Sequence, residues 1–219
     1  INAVLCTDLR TSRQDIPWAS SVQEWINSSP IDRAFTSELL EPDSWRNDPS
    51  QMGGDMFADI GAHLVDVLLW MGSAPVAEVL AYSPSNKPPR GAILSVQALL
   101  ANDMIVSIVF NDNVALGDEF SFQTRGRIAA FGDRGIMTAE MPNFGAGPAE
   151  GIMLEKNGAK HAVTVEGATI STAAAFVACV LDGAPNIAPV ADAANVVALI
   201  QGAYRSAAEH RIVRMDEAI

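Results

Sequence analysis

The stretch "GIMLEKNGAKHAVTVEG", residues 151–167, is the clearest β-hairpin in this sequence. Two strand-like runs flank Asn157-Gly158, a dipeptide that favours the tight turn of a hairpin. Two further hairpins precede it, at residues 92–110 and 127–141. Hairpins join antiparallel strands, whereas parallel strands need long crossovers. The sequence therefore predicts a mainly antiparallel sheet.

Helices flank this block of hairpins. The other strand-like runs are residues 1–9, 30–41, 76–83, 119–126 and 211–215. Helical spacing of apolar residues predicts helices at 14–29, at 57–71 with Gly72 as the cap, at 169–183 and at 190–210. Strands in a run, with the helices segregated from them, predict an α+β fold. We expect an open, mainly antiparallel sheet with helices packed on one face.

The charge balance excludes some classes of partner. The chain has 14 basic and 26 acidic residues, a formal net charge of −12, and 49% of its residues are hydrophobic. Nucleic acids and anionic membranes both require a basic face, so we expect neither as a partner. Cys6 and Cys179 match no metal or redox motif and are interpreted as buried, reduced thiols. We therefore expect a cytoplasmic protein.

The helix within "GGDMFADIGAHLVDVLLWMG", residues 53–72, has an unusual polar ridge. Asp59, His63, Asp66 and Trp70 fall within about 60° of one another on a helical wheel. The apolar positions form a separate stripe: Phe57, Ile60, Leu64, Val67, Leu68 and Met71. The ridge therefore projects from a helix that is otherwise poor in charge.

Three interpretations of this ridge remain open from the residues alone. It fits a solvated helix face with ordinary charge pairs. Asp59, His63 and Asp66 also fit three ligands of a metal site, although no other His or Cys cluster completes one. The third interpretation is catalytic, because a carboxylate one turn away can hold the tautomer of an imidazole and raise its basicity. Gly61 inside the helix predicts that another group approaches closely there.

The glycines at 145–151, "GAGPAEG", do not form a dinucleotide fingerprint. Glu150 occupies the sixth position, and the residues that follow predict a strand instead of the helix that would hold a pyrophosphate. The sequence also contains no Gly-x-Ser-x-Gly nucleophile motif.

Residues 44–81, "SWRNDPSQMGGDMFADIGAHLVDVLLWMGSAPVAEVLA", resemble a segment of Gfo/Idh/MocA-type oxidoreductases. That segment reads Trp-Arg, a spacer, Gly-Gly-Gly, Asp-x-Gly-x-His-x-x-Asp, then Trp and Gly. Residues 173–215 resemble the last helix pair and closing strand of the same family. The resemblance runs from about Pro30 to Met215, and it departs at Asp55, which replaces the third glycine.

The resemblance implies a division into domains. Residues 1–28 are similar to the last strand and helix of an N-terminal Rossmann domain, most of which would precede Ile1. Residues 29–219 are similar to the C-terminal domain, whose sheet is of the dihydrodipicolinate-reductase or glucose-fructose-oxidoreductase type. NAD or NADP would be bound mainly by the missing domain. The open sheet face would mediate a homodimer or homotetramer.

The resemblance also implies a role for each site residue. His63 matches the general acid/base at the reacting carbon and would contact the nicotinamide, and Asp59 matches the carboxylate that assists it. Trp45, Arg46 and Asp66 match residues of the substrate pocket, with Asp66 the more structural of them.

The resemblance implies an NAD(P)-dependent dehydrogenase that transfers a hydride from a sugar, inositol or similar polyol. This fragment would supply the catalytic and substrate domain and would be inactive alone. The alternative is a non-catalytic binding or assembly module of the same fold.

Overall fold

The structure is a computed structural model that describes residues 2–7, 45, 48–84, 93–111, 124–141, 150–164 and 171–217. Its helices are α1 (Pro49–Met52), α2 (Met56–Gly72), α3 (Thr172–Asp182) and α4 (Val190–Glu209). Its strands are β1 (Asn2–Thr7), β2 (Val76–Tyr82), β3 (Ile93–Leu100), β4 (Ile105–Asn111), β5 (Thr124–Gly132), β6 (Gly135–Met141), β7 (Glu150–Lys156), β8 (Ala159–Ala162) and β9 (Val213–Arg214). The helix predicted at 14–29 and the strand predicted at 30–41 lie outside the described residues.

The described strands form one nine-stranded sheet in the order β8-β7-β6-β5-β1-β4-β3-β2-β9. Neighbouring strands run antiparallel throughout this described sheet except at β1 and β4, which are parallel. The predicted α+β class and the mainly antiparallel sheet are therefore confirmed. The closing strand is shorter than the predicted 211–215: it covers only Val213–Arg214, and a 3₁₀ turn begins at Met215.

The three predicted hairpins are confirmed, and each turn has the expected chemistry. Asn157 and Gly158 both have positive φ, 52° and 76°, as a type I′ turn requires. Asp103 adopts φ 64° at the β3–β4 turn, and Gly135 pairs with Gly132 to close β5 and β6. Local turn residues thus set the register of each hairpin.

Strand β1 lies within the described sheet, and the predicted division of the chain into residues 1–28 and 29–219 stays a prediction. We expected residues 1–28 to be a remnant of a separate dinucleotide-binding domain. In the structure Asn2 pairs with Ser107 of β4 on one side and with Ala129 of β5 on the other. Both backbone edges of β1 are hydrogen-bonded within the sheet, so this strand is part of the same sheet as β4 and β5. Residues 8–28 lie outside the described part of the chain.

The core lies between one face of the sheet and helices α2 and α4. Alternate residues of the central strands point into it, and Val96, Ile108 and Phe110 are among those that are fully buried. Ser206 of α4 is also buried, and its hydroxyl accepts a hydrogen bond from the Ala81 backbone N–H at 2.9 Å. This contact holds α4 to β2. The predicted packing of helices on one face is confirmed for α2 and α4.

Helix α3 does not join this core. None of its eleven described residues is buried, and Phe176 and Leu181 are 69% and 75% exposed. Cys179 of the same helix is half-buried, so the expectation of a buried thiol there was wrong. Gly183 caps the helix in the left-handed conformation, as predicted.

Helix α2 ends one residue later than predicted. Ser73 is the C-terminal cap, with φ 51°, and Gly72 is a buried residue of the last turn. A Cβ at Gly72 would overlap the end of the Leu100 side chain, which would have to shift. The buried stripe of α2 is also rotated from the prediction. Gly61, Val65 and Leu69 are buried because α4 covers a side of the helix that the sequence leaves unassigned.

Candidate active site

The polar ridge of α2 lies on the side of the helix that faces away from the sheet. His63, Asp66 and Trp70 are exposed, with 74% of Trp70 accessible, and Asp59 is half-buried. The opposite side is closed by buried residues such as Leu64 and Leu68. The helix therefore presents an imidazole and two carboxylates at the surface, while its opposite side is packed in the core.

His63, Asp66 and Trp70 line one wall of a groove of about 830 Å³. The other wall is formed by residues 187–197, the connector from α3 and the first turns of α4. Asn195 anchors this wall to β2, because its side-chain oxygen accepts a hydrogen bond from the Val76 N–H at 3.2 Å. The groove is large enough for a small organic molecule, which would lie against the imidazole.

The structure groups only some of the predicted site residues. Asp59 lies one helical turn before His63 on the same ridge, outside the groove lining. Trp45 lies in the segment before α1, where its carbonyl accepts a hydrogen bond from the Asp48 N–H at 3.2 Å. Arg46 lies outside the described residues. The roles of Trp45 and Arg46 in a substrate pocket remain predictions.

The turn that begins α2 is tied to helix α4. Asp55 is the N-terminal cap, and its Oδ1 accepts hydrogen bonds from the Phe57 N–H at 2.9 Å and from the Tyr204 hydroxyl at 2.6 Å. Gln201 donates a hydrogen bond to the Gly53 carbonyl at 3.1 Å. A Cβ on Gly54 would lie 2.6 Å from the Tyr204 ring, so only glycine fits there.

Tyr204 was missed by the sequence analysis. Its partner Asp55 lies 149 residues away in the chain, and helical periodicity alone gives Tyr204 no special place. The signal that could have identified Tyr204 is Asp55, which replaces the third glycine of the family pattern. A carboxylate where the family has glycine needs a hydrogen-bond donor nearby, and a tyrosine on the helix that packs against α2 can supply one.

Burial is the main cause that raises the pKa of Tyr204 above its ordinary value of 10.0, followed by the hydrogen bond to Asp55 and the charge of that carboxylate. The folded protein therefore keeps a proton that the unfolded chain releases above about pH 10. The contribution of this tyrosine to the free energy of unfolding is fully present below that pH, and we expect it to be lost as the pH rises further. Urea midpoints measured across this range should fall more steeply for the wild type than for Tyr204→Phe. Equal slopes would contradict this prediction.

Two alternative classes of site have no support in the described residues. No group of three or more His, Cys, Asp or Glu side chains within the described ranges is arranged to hold a metal ion, and this includes the ridge of α2. No helix in the same part of the chain combines the length and apolar character needed to cross a bilayer.

The comparisons with known proteins agree with the fold. A family model described as "GFO/IDH/MocA C-terminal domain" matches residues 27–138, slightly more than half of the chain. This match includes α2 with its polar ridge. No curated protein matches the chain.

Several solved structures share the fold at low sequence identity. Aldose-aldose oxidoreductase from Caulobacter crescentus, complexed with glycerol, has a TM-score of 0.67 and 16% identity over 97% of this chain and 55% of its own. An oxidoreductase from Agrobacterium radiobacter in complex with NAD+, L-tartaric acid and magnesium has a TM-score of 0.60 and 14% identity over 100% of this chain and 58% of its own. GenD2 from gentamicin A biosynthesis, in complex with NAD, has a TM-score of 0.56 and 18% identity over 97% of this chain and 54% of its own. The chain thus spans little more than half the length of these proteins.

Proposed function

Because this chain belongs to the GFO/IDH/MocA oxidoreductase family through that family's C-terminal domain, we propose that it is the catalytic and substrate half of an NAD(P)-dependent dehydrogenase. The substrate in this proposal is a sugar, inositol or similar polyol. The observation that carries the proposal is the exposed His63 at the wall of a ligand-sized groove. Asp59 lies one turn away on the same helix, whose opposite side is buried.

The chemistry requires a base at the reacting hydroxyl. Oxidation of a secondary alcohol breaks two bonds as the carbonyl forms. The hydrogen of the C–H bond leaves as a hydride, and the proton of the O–H bond goes to a base. His63 would take that proton, and Asp59 would orient its imidazole. Trp45, Arg46 and Asp66 would contact the substrate.

NAD or NADP would supply the hydride acceptor. The described residues fit only the side of this cofactor that reacts. His63 is exposed where a nicotinamide ring could approach, but none of the described helices begins after a glycine-rich turn that follows a strand. The proposal assigns the pyrophosphate to a second domain, as the family resemblance implies, and it predicts that residues 1–219 alone bind the dinucleotide weakly and do not turn over.

The molecules bound in two of the similar structures support the substrate class. Glycerol is bound in the Caulobacter crescentus enzyme and L-tartaric acid in the Agrobacterium radiobacter protein. Both molecules are small and carry hydroxyls on adjacent carbons. The groove beside His63 has room for a molecule of this kind.

The test is turnover by the complete gene product with a panel of sugars, inositols and linear polyols, with NAD+ and NADP+ each supplied in turn. We expect formation of reduced cofactor with at least one polyol, and a control reaction with residues 1–219 alone should show none. Cofactor binding without oxidation of any member of the panel would contradict the substrate class. Absence of both binding and turnover would contradict the enzymatic proposal.

A second candidate is a non-catalytic binding or assembly module of the same fold. The exposed apolar residues of α3, such as Phe176 and Leu181, favour it because such side chains commonly mark association surfaces. Turnover in the panel, lost on substitution of His63, would distinguish the enzyme from this module.

We expect the chain to form a homodimer or homotetramer through the open face of the sheet. Apolar side chains stand exposed on that face, among them Ile105, Val109 and Phe131. Light scattering should give at least twice the mass of one chain, and Phe131→Asp should reduce it. The control Ala194→Asp, at an exposed position of α4, should leave the mass unchanged. A monomeric wild type at micromolar concentration would contradict this prediction.

A further inference from the structure

The geometry points to Tyr204 and Asp55 as positioning residues that fix the first turn of α2 and, through it, the orientation of Asp59 and His63. The inference rests on the proposed function, since it concerns how the proposed base is held. It extends that function to two residues for which neither the family match nor the ridge pattern gives a role.

The first step is the set of hydrogen bonds at the start of α2. The Tyr204 hydroxyl donates to Asp55 Oδ1 at 2.6 Å and accepts from the Asp55 N–H at 3.2 Å. The same Oδ1 accepts from the Phe57 N–H at 2.9 Å, which is the capping bond of the helix. One carboxylate oxygen thus connects the backbone of α2 to a side chain of α4. A glycine at position 55, as in the family pattern, would lack both bonds that this carboxylate oxygen accepts and would keep only the backbone N–H bond to Tyr204.

The second step is the packing that carries this constraint along the helix. The Tyr204 ring meets the ring of Phe57 edge-on, with centroids 6.3 Å apart and planes at 85°. Phe57 is fully buried and lies over Gly61, where a Cβ would come within 2.5 Å of its ring. The close approach predicted at Gly61 is therefore made by Phe57. Gly61 lies midway between Asp59 and His63, so both ridge residues stand on backbone that is packed against this ring.

The third step is distance. A helix rises about 1.5 Å per residue, so Asp59 and His63 lie roughly 6 Å and 12 Å along the axis from Asp55. The intervening backbone is continuous helix with its inner side buried. A change of tilt at the capped end would therefore move both side chains, and misplacement by about 1 Å is enough to reduce the rate of a positioned reaction strongly.

The main test compares Tyr204→Phe with variants of its partner in the complete gene product. Tyr204→Phe keeps the ring and removes the hydroxyl, and we expect kcat to fall about tenfold with KM changed less than about twofold. Asp55→Asn keeps the Oδ1 acceptor and should rescue most of the rate relative to Asp55→Gly. The double variant Tyr204→Phe/Asp55→Gly should be no slower than Asp55→Gly alone, because Asp55→Gly already removes the bond to the Tyr204 hydroxyl together with the capping bond.

A second readout reports on His63 without any need for turnover. The chain has three histidines, His63, His161 and His210, so their imidazole NMR signals can be assigned by substitution. We expect Tyr204→Phe to shift the His63 signal and to speed hydrogen exchange in the first turn of α2. The signal of His161, on the remote strand β8, should not move.

Ser171→Ala is the matched control for a purely structural effect. Ser171 caps α3, where its hydroxyl accepts from the Ala174 N–H, and that helix carries none of the proposed catalytic residues. A loss of kcat in Ser171→Ala equal to that in Tyr204→Phe would overturn the inference, and so would an unmoved His63 signal with unchanged kcat. If the wild type turns over no polyol, the proposed function fails, and the His63 signal and hydrogen exchange still decide whether Tyr204 and Asp55 position the ridge.

Discussion

Replacement of His63 by glutamine in the complete gene product should lower kcat by about 10²- to 10⁴-fold, the usual contribution of a positioned general base. Glutamine keeps hydrogen-bonding capacity and similar bulk but cannot accept the proton of the reacting hydroxyl. The side chain is exposed on α2, so its loss leaves no cavity and should not unfold the domain. Steady-state rates with the best polyol, together with the circular dichroism spectrum, check both parts of this prediction.

The control for this substitution is His161→Gln. His161 is also exposed but lies on β8, far along the sheet from the ridge of α2. We expect its rate to match the wild type. A His63→Gln protein with wild-type turnover would remove the general-base role and leave the binding-module candidate as the better account.

Replacement of Phe57 by alanine should have the largest effect on stability. Phe57 is fully buried, and its ring also meets Phe110 edge-on with centroids 5.4 Å apart. Loss of a buried phenyl group removes its transfer free energy and leaves a cavity that Gly61 beneath it cannot fill. We expect the free energy of unfolding to fall by about 3–5 kcal/mol, measured as a shift of the urea midpoint.

Phe176→Ala is the matched control, because this phenylalanine is 69% exposed on α3. Its expected effect is within about 0.5 kcal/mol, as for most surface substitutions. Equal losses in the two variants would show that α3 is packed in solution, against this structure. An unchanged midpoint in Phe57→Ala would show that the first turn of α2 does not contribute to the core.

The elements that the sequence predicts well are those whose cause is local. Asn157-Gly158 sets its turn through the φ angles these two residues tolerate, so the hairpin follows without knowledge of the rest of the chain. The ridge of α2 follows from a single period along one helix. The family resemblance then supplies a role for His63 that periodicity does not.

The features that escaped prediction depend on partners distant in sequence. Burial of Val65 and Leu69 depends on where α4 lies. The contact of Tyr204 with Asp55 spans 149 residues. Sequence patterns report what one element prefers, but not which element will pack against it.

The central position of β1 has a consequence for the order of folding. Within the described sheet, β1 is the strand that joins β5 through β8 to β4, β3, β2 and β9. Its residue Asn2 pairs with Ser107 and Ala129, which the ribosome adds more than a hundred residues later. The hairpins on either side can form early from local contacts, but the two parts of the sheet are joined only when β1 pairs with both β4 and β5. Until β4 and β5 are synthesised, β1 cannot make its native hydrogen bonds, so the centre of this sheet is completed late in synthesis.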